Sequence, residues 1–153
     1  MKNVIRMVGM ALLLAGFVGS ADAQTGKPVT IVDANTVSAA DLAKLPGMNP
    51  DLAKAVIAKR PFKSIKDLDN ALSGLTKEQR AELYVKLFVP INLNTATDEE
   101  ILLIPNLGNR MLREFKEYRP YESLAKFHRE IAKYVNETEL ARLEQYVSVP
   151  QSK

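Results

Sequence analysis

The sequence predicts an all-α protein made of two tandem copies of a unit with about four short helices each. Three observations support this fold class. Equivalent residues recur 59 or 60 positions apart along the chain. Apolar residues within each copy recur at helical spacing, and no segment shows the sustained alternation that is typical of a strand. Apolar side chains make up 46% of the chain, which is enough to build a core.

The repeat divides the chain into units without an obvious linker between them. We expect the first unit to span residues 31–90 and the second to span residues 91–150. Residues 24–30 are predicted to be a flexible leader and residues 151–153 a loose tail. The matches that define the repeat are Asn35-Thr36 with Asn94-Thr95, Pro46 with Pro105, Arg60-Pro61 with Arg119-Pro120, and Val89-Pro90 with Val149-Pro150.

Residues 1–23 have the features of a cleaved signal peptide. Lys2 and Arg6 form a short basic region at the N-terminus, and an apolar stretch follows over Met7–Val18. Ala21-Asp22-Ala23 then gives the small-x-small pattern of a signal peptidase site. The apolar stretch is shorter than the roughly 20 residues that cross a bilayer. We therefore expect cleavage near Ala23 and a periplasmic or secreted protein. The alternative is a retained N-terminal anchor.

The first two helices of each unit are bounded by capping and stop signals. The first begins at a capping box, Ser38-x-x-Asp41 or Thr97-x-x-Glu100, and ends at a turn that contains proline. The second stops before a proline, because the residue ahead of proline is pushed out of the helical region. Its apolar face is formed by Leu52, Ala53, Val56 and Ile57 in the first unit, and by Met111, Leu112 and Phe115 in the second.

The third and fourth helices follow the same pattern of polar starts and spaced apolar residues. The third is predicted to begin at Ser64 or Ser123, and the fourth near Thr76 or Asn136. Their apolar residues recur every three to four positions, which indicates one buried face. These residues are Ile65, Leu68, Leu72, Leu83 and Leu87 in the first unit, and Leu124, Phe127, Ile131, Leu140, Leu143 and Val147 in the second.

A tight turn is expected between the first two helices of each unit. The turn sequences are Pro46-Gly47-Met48-Asn49 and Pro105-Asn106-Leu107-Gly108. Such a turn needs residues that accept positive φ, which glycine does freely and asparagine does best among the others. Each turn has two positions that favour such residues, and one Gly and one Asn fill them. They are Gly47 and Asn49 in the first unit, and Asn106 and Gly108 in the second. We therefore expect the turn geometry to be preserved in both units.

The turn leads directly into the start of the second helix, where an anion can bind. The first backbone N–H groups of a helix have no intrahelical partner. They also lie at the positive end of the helix dipole. Together these features make the start of this helix suited to an anion.

This arrangement resembles the helix-hairpin-helix motif, whose usual form is apolar-Pro-Gly-apolar-Gly between two short helices. With Asn35-Thr36, Pro61–Ser64 and the signal-peptide pattern, the chain resembles the competence protein ComEA family, as two units in place of one. The resemblance implies an exported, non-catalytic protein that binds double-stranded DNA without sequence specificity, in DNA uptake. It implies no cofactor.

The resemblance places DNA phosphates on the backbone of the two turns and on nearby basic side chains. The residues concerned are Gly47, Met48, Asn49, Lys54, Arg60 and Lys63 in the first unit, and Leu107, Gly108, Asn109, Arg110, Arg113 and Arg119 in the second. Asn49 puts a side chain where a phosphate must approach, and Asp51 would repel it. Arg110 stands at the position of Asp51, so the second turn is locally the better phosphate site. The overall charge points the other way, because the basic excess lies in the first half.

Two functions stay open on the sequence. The near-neutral charge of +3, the missing glycines and Asp51 favour a protein-interaction module that has lost DNA binding. The turn, the duplication and the export signal favour DNA. We expect no enzyme and no metal site, because the chain has no cysteine, His128 is its one histidine, and its acidic residues form no evident pair.

Overall fold

The structure, a computed structural model, describes residues 30–150. The predicted signal peptide, the leader apart from Thr30, and the tail lie outside the described residues. In the part of the chain that is described, no helix combines the length and the hydropathy needed to cross a bilayer.

The described chain is mainly helical, and the order strand, four helices, strand occurs twice. The first half contains β1 (Val32–Asp33), α1 (Ala39–Leu42), α2 (Pro50–Ala58), α3 (Ile65–Ala71), α4 (Lys77–Tyr84) and β2 (Leu87–Phe88). The second half contains β3 (Ile91–Asn92), α5 (Asp98–Leu102), α6 (Asn109–Glu117), α7 (Leu124–Ile131), α8 (Glu137–Glu144) and β4 (Val147–Ser148). The prediction of four short helices in each half is confirmed.

The helices begin where their capping residues predicted. Each predicted capping side chain accepts a hydrogen bond from the backbone N–H three residues later, which satisfies a group that the helix itself leaves without a partner. This bond is made by Ser38, Ser64, Thr76, Thr97, Ser123 and Asn136. The second helices end before the Arg-Pro pairs, and both Arg-Pro peptide bonds are cis.

Four two-residue strands depart from the purely helical prediction. β1 pairs in parallel with β2, with Val32 opposite Leu87, and β3 pairs in parallel with β4, with Ile91 opposite Val147. Leu87 and Val147 therefore lie in strands, not at the ends of the fourth helices. Two residues are too few for an alternating pattern to be visible in a sequence. Each pair joins the beginning of a half to its end.

The two halves share one apolar core. At their junction the rings of Phe88 and Tyr146 meet edge-on, with centroids 4.8 Å apart. The buried hydroxyl of Tyr146 donates a hydrogen bond to the carbonyl of Tyr84 at 3.1 Å. An ion pair between Lys66 and Glu99 bridges the same junction at the surface. These contacts join the two halves.

One predicted core position proved wrong. Leu124, at the start of α7, is 44% exposed, although its counterpart Ile65 is completely buried. Ile65 lines a small cavity together with Ile91, Asn92 and Ala96 of the second half. Leu124 occupies the equivalent place on the second half, and no further unit within residues 30–150 covers it.

Candidate nucleic-acid interface

Both predicted turns are formed, and each contains one residue with positive φ. Gly47 has φ 73° and Asn106 has φ 61°. In each turn the next residue donates a backbone hydrogen bond to the carbonyl before the proline, from Met48 to Leu45 at 3.0 Å and from Leu107 to Ile104 at 3.1 Å. Asn106 thus replaces the first glycine of the motif without changing the turn, as predicted.

The second glycine-type position does not require positive φ, which corrects our explanation of its residues. Asn49 has φ −140° and Gly108 has φ −91°, both in the extended region. These residues are the N-caps of α2 and α6. Asn at this position is therefore explained by capping, since a side-chain oxygen can satisfy a free backbone N–H.

The N-terminus of α2 is largely closed by its own cap. The Asn49 side chain accepts a hydrogen bond from the backbone N–H of Leu52 at 2.8 Å. Pro50, the first helical residue, has no N–H to offer. Of the first three helical residues, only Asp51 keeps an N–H without a protein acceptor among residues 30–150. Asp51 is exposed and brings a carboxylate to the same helix N-terminus. The first turn therefore offers little to an anion.

The N-terminus of α6 is open. Its N-cap, Gly108, has no side chain and makes no capping bond. In the described chain, the N–H groups of Asn109, Arg110 and Met111 have no protein acceptor. A Cβ built on Gly108 would meet no heavy atom within 4 Å, so the space in front of these N–H groups is open. Free N–H groups at the positive end of a helix are suited to an anion, and α6 offers three of them at the start of nine helical residues.

Basic and aromatic side chains border this open site. Arg110 is exposed, and its guanidinium carbon lies 5.9 Å from the centroid of the Tyr134 ring. The hydroxyls of Tyr134 and Tyr118 are 2.7 Å apart, and this hydrogen bond raises the pKa of Tyr134. Lys133 lies 5.0 Å from the centroid of the Tyr118 ring and is also paired with Glu130. An aromatic ring can hold a cation without neutralising it, and this applies to Arg110, which has no ion pair within residues 30–150. The sequence did not predict Tyr134 as a site residue, because its position beside Arg110 depends on tertiary packing.

The other predicted site residues divide into exposed cations and residues that the fold engages. Lys54, Lys63 and Arg113 are exposed and form no ion pair in the described part of the chain. Arg60 and Arg119 are half-buried, and they donate to the backbone carbonyls of Val37 at 2.7 Å and Ala96 at 2.8 Å. Met48 and Leu107 turn their side chains toward the core, so they can offer only their backbone.

Asn35 and Asn94, which the sequence showed only as equivalent positions of the repeat, have a structural role. Asn94 accepts a hydrogen bond from the N–H of Tyr121 at 2.6 Å and donates one to its carbonyl at 2.8 Å. Asn35 makes the same pair of bonds with Phe62, at 2.7 and 3.1 Å. These bonds fix the segment after the second helix to the start of each half. Their sequence signal is an Asn at each repeat start with an aromatic residue 27 positions later.

Comparison with known proteins identifies the motif in the first half. Residues 28–82 match a family model described as "Helix-hairpin-helix motif". The chain therefore contains a helix-hairpin-helix motif. This match spans the first turn and the helices around it, but not the open turn at Gly108. No curated protein and no solved structure matches the chain.

Proposed function

We propose that this chain is an exported, non-catalytic protein that binds double-stranded DNA through its phosphates, without a cofactor and without sequence specificity. The observation that carries the proposal is the set of free N–H groups of Asn109, Arg110 and Met111 beside exposed arginines. The helix-hairpin-helix match adds support, because this motif is commonly a nucleic-acid-binding element.

The two halves are, in this proposal, tandem copies of one helix-hairpin-helix unit. The repeated element order supports duplication, as do the two equivalent strand pairs. Asn35 and Asn94 make the same bonds, and so do Arg60 and Arg119. Side-chain bonds to the backbone that recur at repeat spacing are not explained by a shared helical composition alone.

The two turns would contribute unequally to DNA binding. A phosphate at α6 accepts hydrogen bonds from backbone N–H groups and pairs with Arg110, and such charge-assisted bonds are the strong ones. At α2 the Asn49 side chain already takes one of these N–H groups, and Asp51 adds repulsion. Lys54 and Lys63 would then add only general electrostatic attraction. The second half supplies the main phosphate site.

A protein-interaction function is the second candidate, and the closed cap at Asn49 favours it. A motif that no longer needs a phosphate is free to satisfy its own helix N-terminus. That function predicts weak DNA binding that does not change when Arg110 is replaced.

The decisive experiment is a salt titration of DNA binding by fluorescence anisotropy, with several unrelated duplexes. If phosphates are bound, the logarithm of the binding constant should fall linearly with the logarithm of the salt concentration between about 50 and 200 mM. The slope of this line should be about −0.9 for each phosphate neutralised. Arg110→Ala should weaken binding equally for all duplexes and lower the slope by about one unit. Arg129→Ala is the matched control, because Arg129 is an exposed arginine of α7 that is paired with Glu130.

Wild-type binding that is absent or insensitive to salt would decide against DNA and favour the protein-interaction function. Equal behaviour of the Arg110 and Arg129 variants would show that the open turn is not the phosphate site.

Export and DNA uptake belong to the same proposal and need separate tests. Mass spectrometry of the chain from the periplasm or the medium should find an N-terminus at or near Gln24. An intact Met1 in a membrane fraction would show a retained anchor. Deletion of the gene should lower the yield of transformants from added DNA if the protein serves uptake.

A further inference from the structure

Arg110 shares one side of α6 with a carboxylate that does not neutralise it. Arg110, Glu114 and Tyr118 follow each other at intervals of four residues, so their side chains lie in a row along the helix. Opposite charges at this spacing commonly form an ion pair. Arg110 and Glu114 form none, and the Arg110 guanidinium has no other ion pair within residues 30–150.

Glu114 keeps an acceptor that its surroundings leave unused. Its Oε2 atom is buried and has no hydrogen-bond partner in the described part of the chain. A buried carboxylate oxygen without a partner costs free energy, so a guanidinium one helical turn away would be attracted to it. The separation of Arg110 from Glu114 therefore needs a structural cause.

The side chain of Tyr134 supplies this cause, because it lies next to both residues. Its ring centroid is 5.9 Å from the guanidinium carbon of Arg110, and its hydroxyl is 2.7 Å from that of Tyr118. The hydrogen bond with Tyr118 and the neighbouring Glu114 carboxyl raise the pKa of Tyr134. The ring of Tyr134 thus faces Arg110, while its hydroxyl end is held beside Tyr118 and Glu114.

The first half has no counterpart of this arrangement. The positions equivalent to Arg110, Glu114, Tyr118 and Tyr134 are Asp51, Ala55, Lys59 and Gly74. The tyrosine pair and the buried carboxylate therefore accompany the helix N-terminus that is open, and they are missing beside the one that Asn49 caps.

We propose that Tyr134 is a positioning residue of the phosphate site, which holds the Arg110 guanidinium away from Glu114 and at the N-terminus of α6. This role rests on the proposed DNA binding. The aromatic ring attracts the cation without cancelling its charge, whereas an ion pair with Glu114 would withdraw the guanidinium from a phosphate. Removal of the ring should therefore lower DNA affinity through Glu114.

The test measures duplex binding by anisotropy for Tyr134→Leu with and without Glu114→Gln. Tyr134→Leu alone should weaken binding about two- to fivefold, because the phosphate must then compete with an ion pair of ordinary strength. In a chain that already carries Glu114→Gln, the same substitution should leave the affinity unchanged, since the competing charge is gone. Tyr134→Phe keeps the ring and should rescue the loss.

Two backgrounds separate positioning from a structural role of Tyr134. With Arg110→Ala in place, Tyr134→Leu should have no further effect on DNA affinity, whereas damage to the fold would still lower it. Arg113→Ala is the matched control, because Arg113 is an exposed arginine of the same helix with no ring contact among residues 30–150. In that background Tyr134→Leu should keep its full effect.

A measurement without DNA tests the geometry alone. Nuclear Overhauser contacts should join the Arg110 side chain to the Tyr134 ring in the wild type and in Tyr134→Phe. Their absence from the wild type would overturn the proposal, whatever the chain binds.

The binding results distinguish this proposal from the proposed function. If Arg110→Ala weakens binding but Tyr134→Leu does not, the phosphate site stands and the role of Tyr134 falls. The same holds if the loss in Tyr134→Leu is equal with and without Glu114→Gln, or persists with Arg110→Ala. If the wild type binds no DNA, the proposed function falls and the role of Tyr134 falls with it.

Discussion

Gly108→Asn should make the protein more stable and a weaker DNA binder at the same time. The backbone at Gly108 (φ −91°, ψ 171°) lies in the same extended region as that of Asn49 (φ −140°, ψ 169°). A Cβ at Gly108 meets nothing within 4 Å, so the new side chain has room. It should accept a hydrogen bond from the N–H of Met111, as Asn49 does from Leu52.

The two effects can be estimated separately. Asn in place of Gly at an N-cap gains a few tenths of a kcal/mol, and removing a glycine from the unfolded chain adds about 0.4–1 kcal/mol. The free energy of unfolding should therefore rise by about 0.5–1.5 kcal/mol. A phosphate would lose a hydrogen bond to a charged group, which contributes about 1.5–3 kcal/mol. DNA affinity should then fall by about ten- to a hundredfold.

Urea denaturation and anisotropy measure these changes on the same preparations. Gly108→Ala is the matched control, because it adds a Cβ but no acceptor. It should leave DNA affinity within about threefold of wild type. That change is well below the loss expected when one hydrogen bond to a phosphate is removed. If Gly108→Asn gains stability yet binds DNA as the wild type does, the N–H groups of α6 do not hold the phosphate and the proposed site is wrong.

Three further predictions concern the scaffold. Ile104→Ala should lower the free energy of unfolding by about 2–5 kcal/mol in urea, because Ile104 is 1% exposed in the core; a loss below about 1 kcal/mol would contradict this packing. Asn94→Ala should cost about 1–3 kcal/mol, since it leaves the N–H and carbonyl of Tyr121 without partners; Asn94→Asp should restore only the bond that Tyr121 donates. Burial and a hydrogen bond to Asp69 raise the pKa of Tyr84 above its ordinary 10.0. The folded state therefore keeps a proton that the unfolded chain loses, so stability should fall as pH rises above 10, and less steeply in Tyr84→Phe.

The helices could be predicted from the sequence because their start signals are local. Ser64 and Thr76 each lie three residues before the side chain that completes the capping box. The strands could not, because Val32 finds its partner at Leu87, and a two-residue ladder leaves no periodic pattern. Leu124 was misplaced for a related reason. Spacing shows which side chains share a helix face, but it does not show whether another unit covers that face.

The site was predicted in part, and the errors have physical causes. The positive φ at Gly47 and Asn106 follows from the turn sequence. The extended backbone at Gly108 does not, and our expectation that its glycine serves positive φ was wrong. Arg110 was chosen from its place in the helix. The Tyr134 ring beside it comes from the loop between α7 and α8, and nothing in the order of residues places it there.

The two glycines of the motif answer different requirements, and this chain separates them. The first must allow positive φ, and Gly47 and Asn106 both do so. The second must leave the helix N-terminus uncovered, which Gly108 does and Asn49 does not. Replacing the first by Asn keeps the turn, whereas Asn at the second keeps the helix but caps the N–H groups that we propose for a phosphate. The half that matches the family model is therefore the one with the closed turn, and the open turn lies outside that match. The family match therefore follows the scaffold, whereas the phosphate binding that we propose depends on the residue at the N-cap.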